Sequence, residues 1–499
     1  MELLTTAEMA RADSLAMAAG TPSFELMRNA GRAVADAAVD LAEDGPIVVV
    51  AGRGNNGGDG FIAAADLAAR GRAVQVVLLC DRATLKGDAA RAAGEWKHEV
   101  LPADAASIGR PALIIDALFG AGLDRPVKGD PLTLIAAMND SGAPILAVDL
   151  PSGINGTTGA VMGDAVRATE TITFFRRKPG HWLLPGRLHC GRVRLVDIGI
   201  AAAVLDGIHP ATFENDPELW QAVFPVPRID GHKYARGHAV VVSGGASATG
   251  AARLAARAAL RAGAGLVTVA SPREALAINA AALTAVMVRA IDTSAELAHL
   301  LEDRRLNACV IGPGAGVGAA TRDKVLAVLG EGRGTVLDAD ALTSFADAPE
   351  VLFGRIKTQR YPQVVLTPHQ GEFGRLFKAL GSEDKVVSKL EQARLAAQLS
   401  GAVVLLKGPD TVIAAPDGRA AICGNAPPWL ATAGSGDVLA GMIGAMLAQG
   451  VAAFEAACIG AWMHGEAGQE AGPGLIAEDL SEVLPAVFRR LYDAFAIEY

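Results

Sequence analysis

Residues 47–60 read Ile47-Val48-Val49-Val50-Ala51-Gly52-Arg53-Gly54-Asn55-Asn56-Gly57-Gly58-Asp59-Gly60, an apolar run that breaks into a glycine-rich loop and then into an alanine-rich stretch. A strand that ends in glycines and opens a helix belongs to a parallel α/β sheet, which binds ligands at its strand ends. Gly52, Gly54 and Gly57 satisfy the dinucleotide pattern GxGxxG, and Asp81, ending the next apolar run at 74–80, stands near the spacing of a ribose-binding acid. An NAD-dependent dehydrogenase is therefore one reading. Asn55, Asn56 and Asp59 count against it, because a dehydrogenase usually has small or apolar residues there. These side chains suggest direct contact with a ligand or cation; turn geometry alone is the alternative for the two asparagines.

Upstream, 5–20 and 23–42 carry apolar residues at three- and four-residue spacing, which predicts two helices with Thr5 or Thr6 as a cap. Downstream, ALIIDALFG (112–120) and PILAVDLPSG (144–153) are further strand-like runs, with Asp116 and Asp149 at their ends. Carboxylates at the C-terminal ends of parallel strands lie where open α/β sheets hold ligands. TITFF (171–175) and GRVRLVDIGI (191–200) are expected to add edge strands.

Between about Ala201 and Arg236 the pattern dissolves, with prolines at 210, 217, 225 and 227, which places a domain boundary near 215: domain one 1–215, domain two 216–499. A second α/β series follows, HAVVVSGG, GLVTVA, ACVIGPG, GTVLDAD, QVVLTPH and AVVLLKG. Two domains suit 499 residues, since single cores rarely outgrow about 300.

Lys plus Arg number 45 against 54 Asp plus Glu, a net charge of −9 with no basic patch, so a nucleic-acid partner is not expected. The five cysteines are isolated, without a CxxC pair, and point to a reducing cytoplasm rather than a disulfide framework. The N-terminal residues do not read as a signal peptide. Val438 to Phe454 is uncharged and largely apolar, but its Gly and Ala content and the flanking Asp437 and Glu455 predict a buried helix rather than a membrane span.

In the second half, Thr432-Ala433-Gly434-Ser435-Gly436-Asp437 is a glycine turn leading into a helix, a ready anion site. Asp437 at the helix head could take a proton from an attacking hydroxyl while helix amides hold a phosphoryl group; a simple cap is the alternative. Leu406-Lys407-Gly408-Pro409-Asp410-Thr411 offers a cation and backbone donors to a phosphate, unless Lys407 is only a solvated charge. His369 in TPHQGE could equally be a structural hydrogen-bonder. No GxxxxGK[ST] motif occurs, which disfavours a P-loop NTPase.

LMRNAG, GRGNNGGDG, DALFGAGLDRP and DLPSG resemble the YjeF N-terminal family, the NAD(P)H-hydrate epimerases, over about 1–215. The resemblance implies a Rossmann-like three-layer domain. It implies that Asn55, Asn56, Gly57, Gly58, Asp59, Gly120, Ala121, Gly122, Leu123, Asp124, Arg125, Pro126 and Asp149 hold hydrated NADH or NADPH, and that Asn56, Asp116 and Ser152 ligate potassium. Asp149 is the expected acid/base group, being the strand-end carboxylate not given to the cation. Arg28 departs from the family's usual Glu in LMENAG.

HKYARGH, SGGASATGAA, IGPG, TPHQGE, LLKG and ATAGSGDVLAG resemble the ADP-dependent NAD(P)H-hydrate dehydratases from about His232 onward, which implies a ribokinase-like α/β domain. By that resemblance Ala252, Gly314, His369 and Asp437 contact the hydrated nucleotide. Lys407, Gly408, Pro409, Asp410, Thr411 and Gly436 hold ADP, with Mg2+ expected beside it. Asp437 would help the C6 hydroxyl of the S hydrate take a phosphoryl group from ADP. The loop NAPPWLATAG differs from the family's NGTPALATAG at Ala426 and Trp429, which puts nucleotide-side packing in question. The whole implies a repair enzyme for hydrated NADH and NADPH, with no membrane partner and a homo-oligomeric state. A small-molecule alcohol kinase with an N-terminal sensor and a non-catalytic binding module are the competing readings, opposed respectively by the DALFG and TPHQGE loops and by Asp59, Asp116, Asp149 and Asp437 occurring in one chain.

Overall fold

The computed structural model describes residues 1–42, 44–360, 362–380 and 388–498. The chain forms two compact units, Glu2–Thr212 and Phe213–Tyr499 with Met1.

The first unit is built on seven strands: β1 (Ile47–Ala51), β2 (Val74–Leu78), β3 (Val100–Pro102), β4 (Leu113–Ala117), β5 (Ile145–Val148), β6 (Glu170–Phe174) and β7 (Arg192–Val196). They pair in the order β3-β2-β1-β4-β5-β6-β7, every pair parallel. β1 reads as an unbroken apolar run because both its faces are covered: Ile47, Val49 and Ala51 point into one core, Val48 and Val50 into another. The first core is roofed by α1 (Thr6–Ala18), α2 (Ser23–Leu41), α3 (Asn55–Ala69) and α4 (Gly87–Glu95), the second by α5 (Asp130–Asp140). That is the three-layer arrangement expected from the sequence.

Thr5 caps α1. Its hydroxyl accepts from the Glu8 amide at 3.2 Å while Glu8 Oε2 accepts from the Thr5 amide at 2.8 Å, a reciprocal cap that contributes about 1 kcal/mol. α3 lies close on the sheet because glycines give it room; a Cβ on Gly58 would come within 2.6 Å of Met27 Cε, and one on Gly60 within 2.6 Å of Ala117 Cβ. One expectation is corrected. β6 is not an edge strand but lies between β5 and β7, buried along its whole length, and of the two runs β7 alone lies at an edge. Burial of Thr171 and Thr173 is possible because their hydroxyls bond to Cys190 O and to Asp149 Oδ1.

The second unit holds a ten-stranded sheet: β8 (Thr212–Glu214), β9 (His238–Val242), β10 (Leu266–Ser271), β11 (Met287–Ala290), β12 (Ala308–Ile311), β13 (Gly334–Leu337), β14 (Val364–Leu366), β15 (Val403–Leu406), β16 (Val412–Ala414) and β17 (Ala420–Ile422). Their order is β11-β10-β9-β12-β13-β14-β15-β16-β17-β8, with the pairs from β11 to β15 parallel and the meander β15-β16-β17 antiparallel. In both sheets consecutive strands reverse direction of growth beside the first strand, between β1 and β4 and between β9 and β12, and a crevice opens at such a switch point. The apolar stretch after Asp437 is the helix Ser435–Ala448, buried from Val438 to Ala448 and packed on β9, β12, β13 and the helix Gly250–Arg261. The stretch ends in a turn, and Ala453 opens the next helix. No helix among the described residues is long and apolar enough to cross a membrane.

Candidate active sites

At the first switch point lies a cavity of about 920 Å³. Its walls come from the loop after β1 (Arg53 to Asn56, with Asp59), the loop after β4 (Leu118 to Lys128), Asp149 after β5, Lys178 after β6, and α1. Of the residues expected to hold the hydrated nucleotide, Asn55, Asn56, Asp59, Gly120 to Pro126 and Asp149 line it. Gly57 and Gly58 do not: both are buried, Gly57 packing on Gly52 and Gly58 on Met27. Arg28 is outside the cavity too, paired with Glu95 at 2.7 Å. Gly120 presses against the site, since a Cβ there would sit 2.7 Å from Asn56 Oδ1 and 3.2 Å from Asp149 Oδ2.

Asp149 adopts φ +65, a left-handed conformation that carries strain for a non-glycine residue and turns its carboxylate inward. Lys178 Nζ meets Oδ1 at 2.6 Å, Thr173 Oγ1 donates to it at 3.0 Å, and the Ala121 amide donates to Oδ2 at 3.0 Å. Burial alone would push this carboxyl up, but Lys178 and these hydrogen bonds outweigh it and hold Asp149 below the usual carboxylate range. The Lys178 side chain is only 1% exposed, so the ion pair is nearly dry. His181 Nε2 lies 2.9 Å from Asp149 O, and burial together with the Lys178 charge brings its pKa down to about 4. The ring is therefore neutral at pH 7, and since Nδ1 accepts from the Lys178 amide, Nε2 carries the proton. Asp13, Asp59, Asp88 and Asp124 also line the cavity, and burial shifts the first two. Burial raises Asp13 to about 6, with Lys178 opposing and Asp149 adding to the rise. Burial also raises Asp59 well above its ordinary value, with Asp149 and Asp13 both adding to it.

Asp116 is fully buried and accepts from Ser152 Oγ at 2.6 Å, the Ser152 amide at 2.8 Å and the Leu118 amide at 3.3 Å. Burial still pushes it up to about 6, and no lysine or arginine among the described residues pairs with it. Asn56 Nδ2 is buried without a partner. Amide nitrogen and oxygen are distinguished only by their hydrogen bonds, and with the amide turned over, the orphaned donor becomes an acceptor. A buried carboxylate, a hydroxyl and a turned amide oxygen are all oxygen donors, the kind a hard cation takes.

In the second unit, Gly434 at φ +85 starts the helix Ser435–Ala448, and its left-handed conformation is one that glycine supplies without strain. Asp437 is the third residue of that helix. Burial and the neighbouring Asp338 raise its pKa to about 6, with Lys407 opposing and Asp340 adding. Lys407 is no solvated charge: its ammonium sits 2.7 Å from Asp338 and 4.0 Å from Glu372, and a Cβ on Gly436 would lie 3.5 Å from it. Burial would lower this lysine, but the carboxylates prevail and raise it. Lys407, Gly436 and Asp437 thus form one cluster.

The other expected residues are placed differently. Asp410 is buried and held by Lys389 Nζ at 2.6 Å, Thr411 Oγ1 closes the turn onto Gly408 O at 2.7 Å, and Pro409 lies between them in that turn. Ala252 is buried in the core. Gly314 packs against Gly244 and Ala248. His369 caps the helix Gln370–Leu376, its Nδ1 accepting from the Gly371 amide at 2.9 Å, while Nε2 lies 3.4 Å from Glu372. Trp429 ties its loop down by donating to Gly468 O at 2.7 Å. Among the described residues no three His, Cys, Asp or Glu side chains are arranged to hold a metal.

Sequence reasoning missed Asp13, Lys178 and His181 in the first site and Asp338, Asp340 and Glu372 in the second. For Asp338 the signal existed, since it ends the run GTVLDAD just as Asp116 ends ALIID. For Lys178, the last of three consecutive cations after a strand, nothing in the sequence separates it from surface charge.

A family model described as NAD(P)H-hydrate dehydratase matches residues 239–485, and one described as YjeF-related protein N-terminus matches 23–180. The chain is 37% identical to a bifunctional NAD(P)H-hydrate repair enzyme of Moorella thermoacetica, covering 98% of this chain and 97% of that one. It is 35% identical to a protein of the same description from Salinibacter ruber, covering 97% and 96%. Among solved structures, an ADP/ATP-dependent NAD(P)H-hydrate dehydratase from Bacillus subtilis, co-crystallised with ATP and Mg2+, is 29% identical with a TM-score of 0.48, covering 56% of this chain and 98% of that one.

Proposed function

The chain belongs to the bifunctional NAD(P)H-hydrate repair enzymes, and from that footing we propose how its two sites divide the work. The first unit interconverts the R and S hydrates of NADH and NADPH in the cavity lined by Asn55, Asn56, Asp59, Gly120 to Pro126 and Asp149. The second dehydrates the S form, using ADP and releasing AMP and phosphate. The observation that carries this division is the pairing of an ionised, strand-end Asp149 in one unit with Asp437 beside Lys407 at a helix head in the other. Hydrated NADH supplied with ADP should regain the absorbance of reduced nicotinamide, and a mixture of R and S should be consumed completely. Consumption of the S form alone would leave the first unit without this activity.

In the second unit Asp437 accepts the proton of the C6 hydroxyl as that oxygen takes the phosphoryl group from ADP. Phosphate then leaves and the dihydropyridine re-forms. Phosphoryl transfer needs chiefly positioning and charge neutralisation, which Lys407, the turn Gly408 to Thr411, Gly436 and the helix amides supply. Mg2+ would be held through the nucleotide phosphates with few protein ligands, in keeping with its reluctance to shed water. The same reading gives Ala252, Gly314 and His369 contacts to the hydrate. The five free thiols suit a reducing cytoplasm.

In the first unit Asn56, Asp116 and Ser152 would hold potassium, whose charge offsets that of Asp116 and fixes the two loops that frame the cavity. Adding potassium in place of tetramethylammonium should raise the melting temperature and speed epimerisation, and Asp116→Asn should abolish both responses. Indifference of both measurements to potassium sinks the ion assignment. Gly120→Ala tests the cavity itself: the added methyl would crowd Asn56 and Asp149, so epimerase kcat/KM should fall about 10- to 100-fold with dehydration unchanged. A normal epimerase rate would move the substrate elsewhere.

A further inference from the structure

Epimerisation at C6 by loss and return of water breaks and remakes a C–O bond on opposite faces of one ring, which calls for a group that gives a proton and another that takes one. Asp149, ionised by Lys178, is suited to taking. Resting on the epimerase reading of this cavity, we propose that Asp13 on α1 is the giving partner, the acid that releases the C6 oxygen.

The N-terminal helix lines the cavity with Thr6, Met9, Ala10, Asp13 and Met17, a stripe at helical spacing in which Asp13 is the single carboxyl. No hydrogen bond or ion pair engages Asp13 among the described residues, although it shares the cavity with Asp149 and Lys178. A carboxyl flanked on its stripe by Met9, Ala10 and Met17, unpaired and open to the substrate space, has no stabilising role to account for it. Burial leaves it protonating near pH 6, so both its forms are populated around neutrality. Asp59, which burial and then Asp149 and Asp13 also raise, stands on α3 beside the loop asparagines rather than on the α1 stripe.

The step balances. Asp13 delivers its proton to the C6 oxygen; the C6–O bond breaks with its electron pair going to oxygen, which leaves as water, and the ring-nitrogen lone pair forms the C6=N1 bond. Water then adds to the other face, its oxygen lone pair making the new C6–O bond while the C6=N1 electrons return to nitrogen. Asp149 takes the proton lost by that water. Because Asp149 is the stronger acid, it returns the proton to the Asp13 carboxylate, and both groups are reset without any other reactant.

The groups facing Asp13 are Lys178 and Asp149 from the ends of β6 and β5 and Asp59 from α3; the short helix Leu205–Ile208 packed on α1 adds only the exposed Asp206. An acid must be protonated to act, so wild-type kcat for R-to-S conversion should fall as pH rises above about 6. In Asp13→Asn, kcat should drop about 100-fold, KM should change little, the alkaline fall should vanish, and dehydration of the S hydrate should be normal. Asp13→Glu should recover part of the rate, and heavy-oxygen water should label the C6 hydroxyl in wild type. An Asp13→Asn enzyme with a normal rate and pH profile, an Asp13→Glu enzyme no better than Asp13→Asn, or epimerisation without label overturns the proposal. Wild-type enzyme that does not exceed the spontaneous rate would instead overturn the epimerase reading of the cavity.

Discussion

Asp437→Asn is expected to lower the rate of S-hydrate dehydration by about 10² to 10⁴, the usual range for removing a general base, while ADP binds nearly as before. Asparagine keeps the shape at the head of the helix Ser435–Ala448 but cannot take the proton of the C6 hydroxyl. Asp437 must be ionised to act as a base, so the wild-type rate should rise as pH rises through about 6 and level off above it. The same shift has a consequence for stability. A carboxyl whose folded pKa lies above its unfolded value near 3.8 makes the fold less stable as pH rises from about 3.8 to about 6, since the folded state then gives up a proton it holds more tightly. Removing the charge should therefore leave the melting temperature at neutral pH unchanged or raised. Near-normal dehydration would reduce Asp437 to a helix-capping role, and a lowered melting temperature with both activities lost would mark a folding defect.

The stability sign separates Asp437 from its neighbours. Lys407 is raised by the carboxylates of Asp338, Glu372 and Asp437, after burial has worked against it, so its charge is part of what keeps this cluster folded. Replacing Lys407 would leave buried carboxylates unpaired, a change that costs several kcal/mol. Asp437 is the member of the cluster whose loss the fold tolerates, which makes it the informative position for a chemical test.

Both sheets were legible from the alternation of apolar runs and helical stretches, because a parallel sheet covered on both faces must read as continuous Val, Ile and Leu. Strands of three residues such as β3, β16 and β17 were not, since a run that short carries no period. The cavity's loops were legible for a related reason: glycines, asparagines and strand-end aspartates occur where the backbone must turn sharply toward a ligand. Asp13 and Lys178 were not legible, because each lies among residues that read as ordinary surface; Glu372 closes the TPHQGE run, where nothing separated it from a helix-capping carboxylate. Asp13 is one polar position on an amphipathic helix, and Lys178 follows Arg176 and Arg177. Only the folded chain shows that Lys178 is buried against Asp149 while Arg176 pairs with Glu2. Gly57 and Gly58 show the converse, residues of a ligand-binding pattern whose place in the fold is packing.

Asp149→Asn is expected to stop conversion of R to S hydrate, a loss of at least 10² to 10⁴, with dehydration of pure S hydrate intact because that chemistry has its own site in the second unit. The substitution also strands Lys178, whose 1% exposed ammonium loses its counter-charge at 2.6 Å; breaking a buried pair from one side costs about 3 to 5 kcal/mol. The linkage runs the same way. Asp149 has a folded pKa below its unfolded value, so its stabilisation is present above pH 4 or so and is lost as pH falls through the folded value. Loss of activity in the single variant therefore carries two explanations, chemistry and packing. The double variant Asp149→Asn with Lys178→Met separates them, since an apolar replacement of similar length removes the stranded charge and should recover most of the melting temperature. If Asp149 is the proton acceptor, the double variant folds well and still does not epimerise. If epimerisation returns together with stability, or if Asp149→Asn alone is fully active, the carboxylate served only to hold Lys178 in place and the proton acceptor must be sought elsewhere in the cavity.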